Sequence, residues 1–296
     1  MTNLTELKTI RDYIRLATTR FNAANLYYGH GTDNAWDEAI ALVLHTLHLP
    51  HDVSGVVLDA NLLDEEKKQL NELIKQRIEK NIPVPYLTHQ AFFSGLPYYV
   101  DERVLIPRSP IAELIENQFA PWIAADAVHN ILDLCTGSGC IAIACAKNFP
   151  DAQVDAVDIS TDALAVAKIN VLRHGVEDQV QLIESDLFSA VPKKQYDIIV
   201  SNPPYVSTQE MFDLPSEYQH EPEMALAAGT AGLDFALRIL REAHKYLQPD
   251  GILIVEVGNS EHALAEQFPQ IPFTWLEFER GGGGVFMLTA EQLGEL

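Results

Sequence analysis

The pattern of apolar and polar positions changes character twice along the chain. Up to about residue 80, apolar residues recur at spacings of three and four, which predicts amphipathic helices. We expect three such helices, packed through their apolar stripes into a small bundle. The stripes consist of Leu4, Leu7, Ile10, Ile14, Ala17 and Phe21, of Trp36, Ile40, Val43, Leu44 and Leu47, and of Leu70, Leu73, Ile74 and Ile78.

Between residues 81 and 110 prolines become frequent, and each one interrupts a regular helix. Apolar and aromatic residues lie on both sides of Gly95 and Pro97, which predicts a β-hairpin. This hairpin would connect a helical domain to a second, larger domain. The predicted boundaries are residues 1–82 for the helical domain, 83–110 for the hairpin linker and 111–296 for the second domain.

From about residue 110, strand and helix patterns alternate, which predicts a parallel sheet with helices on both faces. The last two strands are separated only by residues 279–284, too few for a parallel crossover. We therefore expect a Rossmann-like, doubly wound α/β fold with a seven-stranded mixed sheet whose last strand is antiparallel. The predicted strands are 130–134, 153–158, 180–184, 196–201, 251–257, 273–278 and 285–288.

Composition and charge narrow the possible functions. A chain of 296 residues with 47% hydrophobic content can bury the cores of two domains, which excludes global disorder. The formal net charge of −22 repels phosphate backbones, so we expect no direct nucleic-acid binding and a basic protein partner instead. Three cysteines without a CxxC pair, and histidines without HExxH, predict a cytoplasmic protein without disulfides or metal. No apolar run suggests a signal peptide or a membrane span.

A glycine-rich turn follows the first strand of the second domain. Gly137, Gly139 and Ala142 form a G-x-G-x-x-A pattern, which lets the backbone bend sharply and approach a ligand closely. The same pattern is found in nicotinamide enzymes and in plain strand-to-helix turns. Asp158 ends the next strand, 21 residues after Gly137, where a carboxylate can accept hydrogen bonds from both ribose hydroxyls.

Two further acids favour a nucleoside cofactor. Asp186 follows the third strand and can accept a hydrogen bond from an adenine amino group. Asp133, inside the first strand, can hold the turn or meet the cationic amino-acid end of a cofactor. A dinucleotide carries a pyrophosphate, whereas S-adenosylmethionine carries a sulfonium cation. Because no Lys or Arg follows the turn before Lys147, the cationic cofactor is mildly favoured.

The most specific feature is Asn202-Pro203-Pro204-Tyr205, which follows the fourth strand at the predicted switch point of the sheet. A planar amide or amino nitrogen is a poor nucleophile because its lone pair is delocalised. The Asn202 side-chain oxygen and the Pro203 carbonyl can accept from its two N–H groups and stabilise the positive charge that develops there. The ring of Tyr205 can lie against the planar group. The catalytic candidates are therefore Asn202, Pro203 and Tyr205, and the alternative is a rigid turn without chemistry.

These motifs resemble the class I S-adenosylmethionine-dependent methyltransferases with an NPPY motif, and among them the protein-glutamine methyltransferases. The hinge at residues 106–111 lacks the IPRP of the branch that modifies peptide chain release factors. It is similar to the branch that modifies large-subunit ribosomal protein L-three. The resemblance runs almost end to end through VLIPRSPIAELI, DLCTGSG, SDLF, SNPPY and ERGGGGVFML.

The resemblance implies methyl transfer from S-adenosylmethionine to the side-chain amide nitrogen (N5) of a glutamine, with S-adenosylhomocysteine as product and no metal. It implies substrate recognition by the helical domain and a basic ribosomal protein as partner. It also implies that Cys135 and Leu187 replace a glycine and an aromatic residue common in relatives, so that a left-handed backbone at 135 would be costly. The cofactor would be bound by Cys135, Thr136, Gly137, Ser138, Gly139, Asp158, Leu187 and Asn202, and the glutamine by Asn202, Pro203, Pro204 and Tyr205.

Four alternatives remain open at this stage. The first is the same reaction on release factors, and the second is a nucleic-acid adenine amino methyltransferase, which the charge of −22 disfavours. The third is a nicotinamide oxidoreductase, which leaves the NPPY motif unexplained. The fourth is a non-enzymatic assembly factor, which the intact Asn202 disfavours. Arg108 and Glu221 are left without a predicted role.

Overall fold

The computed structural model describes residues 7–294, which divide into two compact units. The first unit runs through Gln90 and also contains Pro215–His220; the second comprises Ala91–Leu214 and the chain from Glu221 onwards. Leu4 of the first predicted stripe lies outside the described residues. The domain boundaries expected after residues 82 and 110 differ from this division into units, and they remain a prediction. Between residues 7 and 294, no helix has the length and apolar character needed to cross a membrane.

Four α-helices lie in the described part of the first unit, and their apolar faces enclose one core. The first helix begins with a capping box, in which the side chain of Thr9 accepts from the Asp12 N–H and the Asp12 carboxylate accepts from the Thr9 N–H. The prediction that Trp36 lies in the core is wrong, since its residue is 48% exposed beside a buried face that runs through Ala35 and Ala39. The helices are α1 (Ile10–Ala23), α2 (Ala35–Thr46), α3 (Asp64–Lys80) and α4 (Val84–Thr88).

A buried ionic cluster lies inside this unit. The Arg77 guanidinium donates to Glu38 at 3.1 Å, to Glu217 at 3.1 Å and to the Tyr27 carbonyl at 2.9 Å. Burial raises the pKa of Glu38 to about 6. Burial also acts to raise the pKa of Glu217, but hydrogen bonds from the Tyr27 N–H and from Arg77 outweigh it and lower the pKa. The cluster therefore fixes Pro215–His220 within the first unit.

The second unit opens with the predicted hairpin, which is confirmed. Strands β1 (Ala91–Phe93) and β2 (Leu96–Tyr98) pair antiparallel. Ser94 and Gly95 join them, both with positive φ, as a two-residue hairpin turn requires. The hairpin buries Phe93 and Tyr98 in the core of this unit.

The main sheet has seven strands in the order β5-β4-β3-β6-β7-β9-β8. The first five in the chain are parallel, and the last strand runs antiparallel to both of its neighbours, which confirms the predicted fold class. That last strand lies between β7 and β8 rather than at the edge of the sheet. The strands are β3 (Asn130–Leu134), β4 (Gln153–Asp158), β5 (Val180–Glu184), β6 (Tyr196–Ser201), β7 (Leu247–Glu256), β8 (Thr274–Trp275) and β9 (Val285–Thr289).

Apolar side chains cover both faces of this sheet. Successive strand residues point to opposite faces, so Ile131 belongs to one core cluster and Leu132 to the other. Because β3 lies next to β6, the chain reverses its winding direction there, which is where open α/β sheets bind ligands. The helices of this unit are α5 (Ile111–Glu116), α6 (Cys140–Asn148), α7 (Thr161–His174), α8 (Thr208–Asp213), α9 (Asp234–Glu242), α10 (Glu261–Gln267) and α11 (Ala290–Gly294).

Candidate active site

A cavity of about 320 Å³ lies at the carboxyl ends of the parallel strands. Its size falls in the range of small-molecule sites. Segments that follow four strands line it, and so do two stretches before α5 and after β6. The segments after the strands are residues 135–138, 158–160 and 185–187, and Asn202 with Pro204. The stretch before α5 comprises residues 103–105 and 107–109, and the stretch after β6 contributes Pro222, Met224, Ala225 and Ala227.

The predicted glycine turn forms part of the cavity wall. Gly137 and Gly139 both have positive φ, 55° and 80°. A Cβ atom at Gly139 would lie 3.2 Å from the Cβ of Ala167 on α7, so this glycine allows two helices to pack closely. A Cβ at Gly137 would meet nothing within 4 Å, so the turn leaves open space at that position. Gly139 supports the turn from behind, while Gly137 faces unfilled volume.

Two residues without glycine's freedom share this backbone conformation. Cys135 has a φ of 60° and Leu187 a φ of 49°, both in the left-handed region. Cys135 therefore adopts the left-handed conformation that we expected to be costly at this position. The cost for a residue other than glycine is about 1–2 kcal/mol. Burial raises the pKa of the Cys135 thiol, and the nearby carboxyl groups of Asp158 and Asp133 add to the rise.

Asp133 is fully buried beneath the turn. Its Oδ2 accepts from the Thr136 hydroxyl at 2.5 Å and from the Ala142 N–H at 3.1 Å, so it holds the turn, one of its two predicted roles. Its Oδ1 has no hydrogen-bond partner in the described part of the chain. Burial raises the pKa of Asp133 to about 7, and the nearby Asp158 adds to the rise.

Asp158 ties the end of β4 to the turn after β3. Its Oδ2 accepts from the Gly137 N–H and its Oδ1 from the Ser160 N–H, each at 2.9 Å. Burial nevertheless raises the pKa of this carboxyl. Each carboxylate oxygen has further lone-pair sites, so Asp158 can still accept from a ligand in the cavity that it lines.

Asp186 and Leu187 line the same cavity after β5. The Asp186 carboxylate forms an ion pair with Arg238 of α9 at 2.8 Å. Nothing in the sequence pattern points to Arg238, because a pairing across 52 positions leaves no local signal. The ion pair orients Asp186 beside the cavity.

Asn202 lies beside the glycine turn. The last residues of β3 and β6, Leu134 and Ser201, are directly paired, so Cys135 and Asn202 are the next residues beyond each strand. Asn202 lines the cavity, and its buried Oδ1 lacks a hydrogen-bond partner among residues 7–294. Buried acceptors are normally satisfied. This oxygen can therefore accept a hydrogen bond from a group outside the described chain.

The rest of the motif is rigidly held. Pro203 is buried, and Pro204 lines the cavity. The Tyr205 hydroxyl donates to Glu256 at 3.0 Å, and a Cβ at Gly258 would come within 2.5 Å of the Tyr205 ring. Tyr205 is not among the residues that line the cavity, so its contact with a substrate stays a prediction.

Arg108 and Glu221 form a pair that sequence reasoning missed. The Arg108 guanidinium donates to both Glu221 oxygens, at 2.5 and 2.7 Å, and the Ile106 N–H donates to Glu221 at 3.0 Å. Arg108 lines the cavity, and the bidentate pair fixes that wall. No three His, Cys, Asp or Glu side chains of residues 7–294 are grouped as a metal site would require.

Comparison with known proteins first gives the class. Residues 117–226 match the family profile of the Methyltransferase small domain. The crystal structure of the hMettl16 catalytic domain in complex with MAT2A 3′UTR hairpin 6 superposes with a TM-score of 0.52 at 17% identity, covering 77% of this chain and 82% of that one. The fold is therefore that of the class I, Rossmann-like methyltransferases.

Full-length relatives then give the family. The chain is 54% identical over 289 residues to the ribosomal protein uL3 glutamine methyltransferase of Neisseria gonorrhoeae, covering 97% of this chain and 96% of the relative. The protein of the same name from Neisseria meningitidis serogroup A is also 54% identical, with coverage of 97% and 95%. The chain belongs to the family of ribosomal protein uL3 glutamine methyltransferases.

Proposed function

We propose that this protein transfers a methyl group from S-adenosylmethionine to the side-chain amide nitrogen of a glutamine in ribosomal protein uL3. One observation carries the chemistry: the unpaired, buried Oδ1 of Asn202 lies at the switch point, one residue beyond β6 and beside the glycine turn. Membership of the uL3 glutamine methyltransferase family supports the choice of target.

The size and the acidic lining of the cavity support S-adenosylmethionine as its ligand. Gly137 leaves open volume, and the unpaired Oδ1 of Asp133 suits a nearby cationic group. Asp158 can accept from the ribose hydroxyls, and Asp186 from the adenine amino group. When bound, the cofactor supplies an electrophilic methyl group on a sulfonium. The proposed cofactor-binding residues are Asp133, Cys135, Thr136, Gly137, Ser138, Gly139, Asp158, Asp186, Leu187 and Asn202.

The NPPY residues would orient the nucleophile. The Asn202 Oδ1 and the Pro203 carbonyl accept from the two amide N–H groups, which fixes the plane of the amide. The same acceptors stabilise positive charge as it develops on nitrogen. Pro203 and Pro204 have no backbone N–H that could compete for those acceptors. The proton can leave after transfer, so no dedicated base is needed, and Pro204 and Tyr205 would flank the glutamine side chain.

Charge supports a basic protein partner. With a formal net charge of −22, the protein attracts a basic ribosomal protein and repels nucleic acid. The helical first unit would recognise the substrate. Three free cysteines, Cys135, Cys140 and Cys145, suit a reducing compartment, and we place the reaction in the cytoplasm.

Methyl transfer to purified candidates tests the proposal. The protein is incubated with radiolabelled S-adenosylmethionine and, in parallel, with uL3, with a peptide chain release factor and with an adenine-containing oligonucleotide. We expect label on uL3 alone, and fragment mass spectrometry should place one methyl group on a glutamine side chain. Preferential labelling of the release factor would move the protein to the other branch, and labelling of adenine would overturn the reaction.

A further inference from the structure

A buried carboxylate at the end of β7 contacts the NPPY motif without lining the cavity. Glu256 is 5% exposed. Its Oε1 accepts from the Tyr205 hydroxyl at 3.0 Å, and its Oε2 accepts from the Ser109 hydroxyl at 2.5 Å. The chemistry proposed above does not use this carboxylate, although it is bonded to a residue of the motif.

Tyr205 is held through its ring, its backbone carbonyl and its hydroxyl. Its ring packs against Gly258, where a Cβ would come within 2.5 Å. Its carbonyl accepts from the Ser260 hydroxyl at 3.2 Å. The first of these contacts is made to the Gly258 backbone, and the second is made by the Tyr205 backbone carbonyl. The hydroxyl bond to Glu256 is therefore the contact that a near-isosteric substitution can remove while the backbone stays in place.

Ser109 connects the same carboxylate to the cavity wall. Its hydroxyl donates to Glu256 and accepts from the Ile111 N–H at 3.2 Å. Ser109 lines the cavity, next to Arg108. Glu256 thus joins two structures through its two oxygens, the wall before α5 on one side and the NPPY loop (residues 202–205) on the other.

The position of Glu256 on a strand gives it a fixed reference. Val255 of β7 is paired with Ser201 of β6, so Glu256 and Asn202 are the next residues beyond this pair. Residues on strands hold a geometry more accurately than residues on loops. A strand-borne carboxylate beside the loop is suited to set its orientation.

We propose that Glu256 is a positioning residue: through the Tyr205 hydroxyl it holds the NPPY loop so that Asn202 faces the substrate amide, with Ser109 as its second anchor. This inference rests on the proposed function. It assigns Glu256 no contact with the cofactor or with the glutamine.

Replacing Glu256 by Gln tests the assignment. The variant keeps the side-chain shape, but its one remaining oxygen can accept from only one of the two hydroxyls, so Tyr205 and Ser109 can no longer both donate to residue 256. We expect kcat on uL3 to fall between about ten- and a hundredfold, because small displacements of positioning groups have effects of that size. KM for S-adenosylmethionine should change less than about twofold. Tyr205→Phe should behave in the same way. The double variant should lose no more kcat than the less active of the two single variants.

The same sheet supplies a matched control. The Tyr196 hydroxyl donates to Asp155 at 2.6 Å, and both side chains are buried. Tyr196 begins β6, a whole strand away from Asn202. Asp155→Asn and Tyr196→Phe should therefore lower the unfolding temperature without changing kcat. If these variants lose as much kcat as Glu256→Gln, general destabilisation would explain the loss of kcat in Glu256→Gln, and the assignment would be overturned.

Hydrogen exchange provides a readout that does not depend on turnover. In Glu256→Gln and in Tyr205→Phe, the amides of Tyr205 and Val206 should exchange faster, whereas Asp155→Asn should leave them unchanged. Unaltered exchange in both variants, or full turnover in Tyr205→Phe, would overturn the positioning role. A wild-type protein that does not methylate uL3 would overturn the proposed function instead, and the exchange result would still decide the role of Glu256.

Discussion

Asn202 and Asp133 each have a buried side-chain oxygen without a hydrogen-bond partner among residues 7–294. An unsatisfied buried polar group costs roughly 1–3 kcal/mol. A ligand that donates to these atoms would recover that cost. At the scale of single residues, the proposed site therefore holds two acceptors that residues 7–294 do not satisfy.

Replacing Asn202 by Ala removes the acceptor that orients the amide. We expect kcat to fall by about a hundredfold or more, the size of effect seen when one transition-state hydrogen bond is lost, while calorimetry should show that much of the cofactor affinity is kept. Asn130→Ala, at the opposite end of β3, is the matched control and should retain full turnover. Unchanged turnover in Asn202→Ala would contradict the proposed role.

Asp133→Asn should change how stability depends on pH. Because the folded-state pKa is raised to about 7, the stabilisation from the protonated carboxyl is present at low pH and is lost as pH rises through about 7. The wild type should therefore lose about 1 kcal/mol between pH 6 and 8 relative to the variant. The amide oxygen of Asn can still accept from Thr136 and Ala142, so the fold should be kept. Thermal unfolding of both proteins at pH 6, 7 and 8 measures the difference, and parallel curves would contradict it.

Most of the predicted residues that line the cavity could be placed there from the sequence, because their positions follow from local spacing. The glycines, Asp158 and Asn202 each stand at a fixed offset from a strand end. The left-handed conformation of Cys135 could not be predicted, since residue type argues against it. The pairs Arg108–Glu221 and Arg238–Asp186 could not be predicted either, because they join distant positions that share no pattern.

At the scale of elements, one glycine of the run before β9, Gly284, is explained by close packing of backbones. Gly284 has a φ of 66°, and a Cβ there would lie 2.1 Å from the Gly258 carbonyl oxygen. The Val257 N–H donates to the Gly284 carbonyl at 2.6 Å. The segment thus passes directly against the backbone that supports Tyr205. Adding a side chain at this crossing would separate the end of β7 from the start of β9.

Two adjacent substitutions test this crossing. Gly284→Ala should lower the free energy of unfolding by at least about 2 kcal/mol, since it combines a forbidden contact with a left-handed φ. Gly283→Ala, where a Cβ meets nothing within 4 Å, should change it by less than about 0.5 kcal/mol. Urea denaturation of both variants measures the contrast. Equal effects at the two positions would show that the close approach is not what requires glycine.

The elements themselves were largely predictable from periodicity. The first four strands of the main sheet match their predicted bounds, because each is a short apolar run between clear turns. The strand predicted at 273–278 shortens to Thr274–Trp275, and the one predicted from 251 begins at Leu247. Pairing with neighbouring strands decides where these two strands begin and end. Local composition does not determine that pairing, so the sequence pattern could not predict these bounds.

At the scale of the whole molecule, charge should govern the encounter with the substrate. We expect the association rate constant with uL3 to fall about tenfold as salt is raised from low to high concentration, because attraction between an acidic and a basic protein is screened. Stopped-flow measurements at several salt concentrations follow the rate. Sucrose at matched osmolarity is the control and should have little effect. A rate that does not respond to salt would contradict electrostatic steering.

The ionic cluster around Arg77 has a consequence for synthesis of the chain. The backbone leaves the first unit after Gln90, returns for Pro215–His220 and leaves again, so neither unit is a continuous stretch of sequence. Until Glu217 emerges from the ribosome, folding of the nascent helices would bury the Arg77 guanidinium with Glu38 in place and its second carboxylate, that of Glu217, missing. Unpaired buried charge is strongly unfavourable. The amino-terminal helices should therefore complete their fold only after translation has passed well beyond the midpoint of the chain.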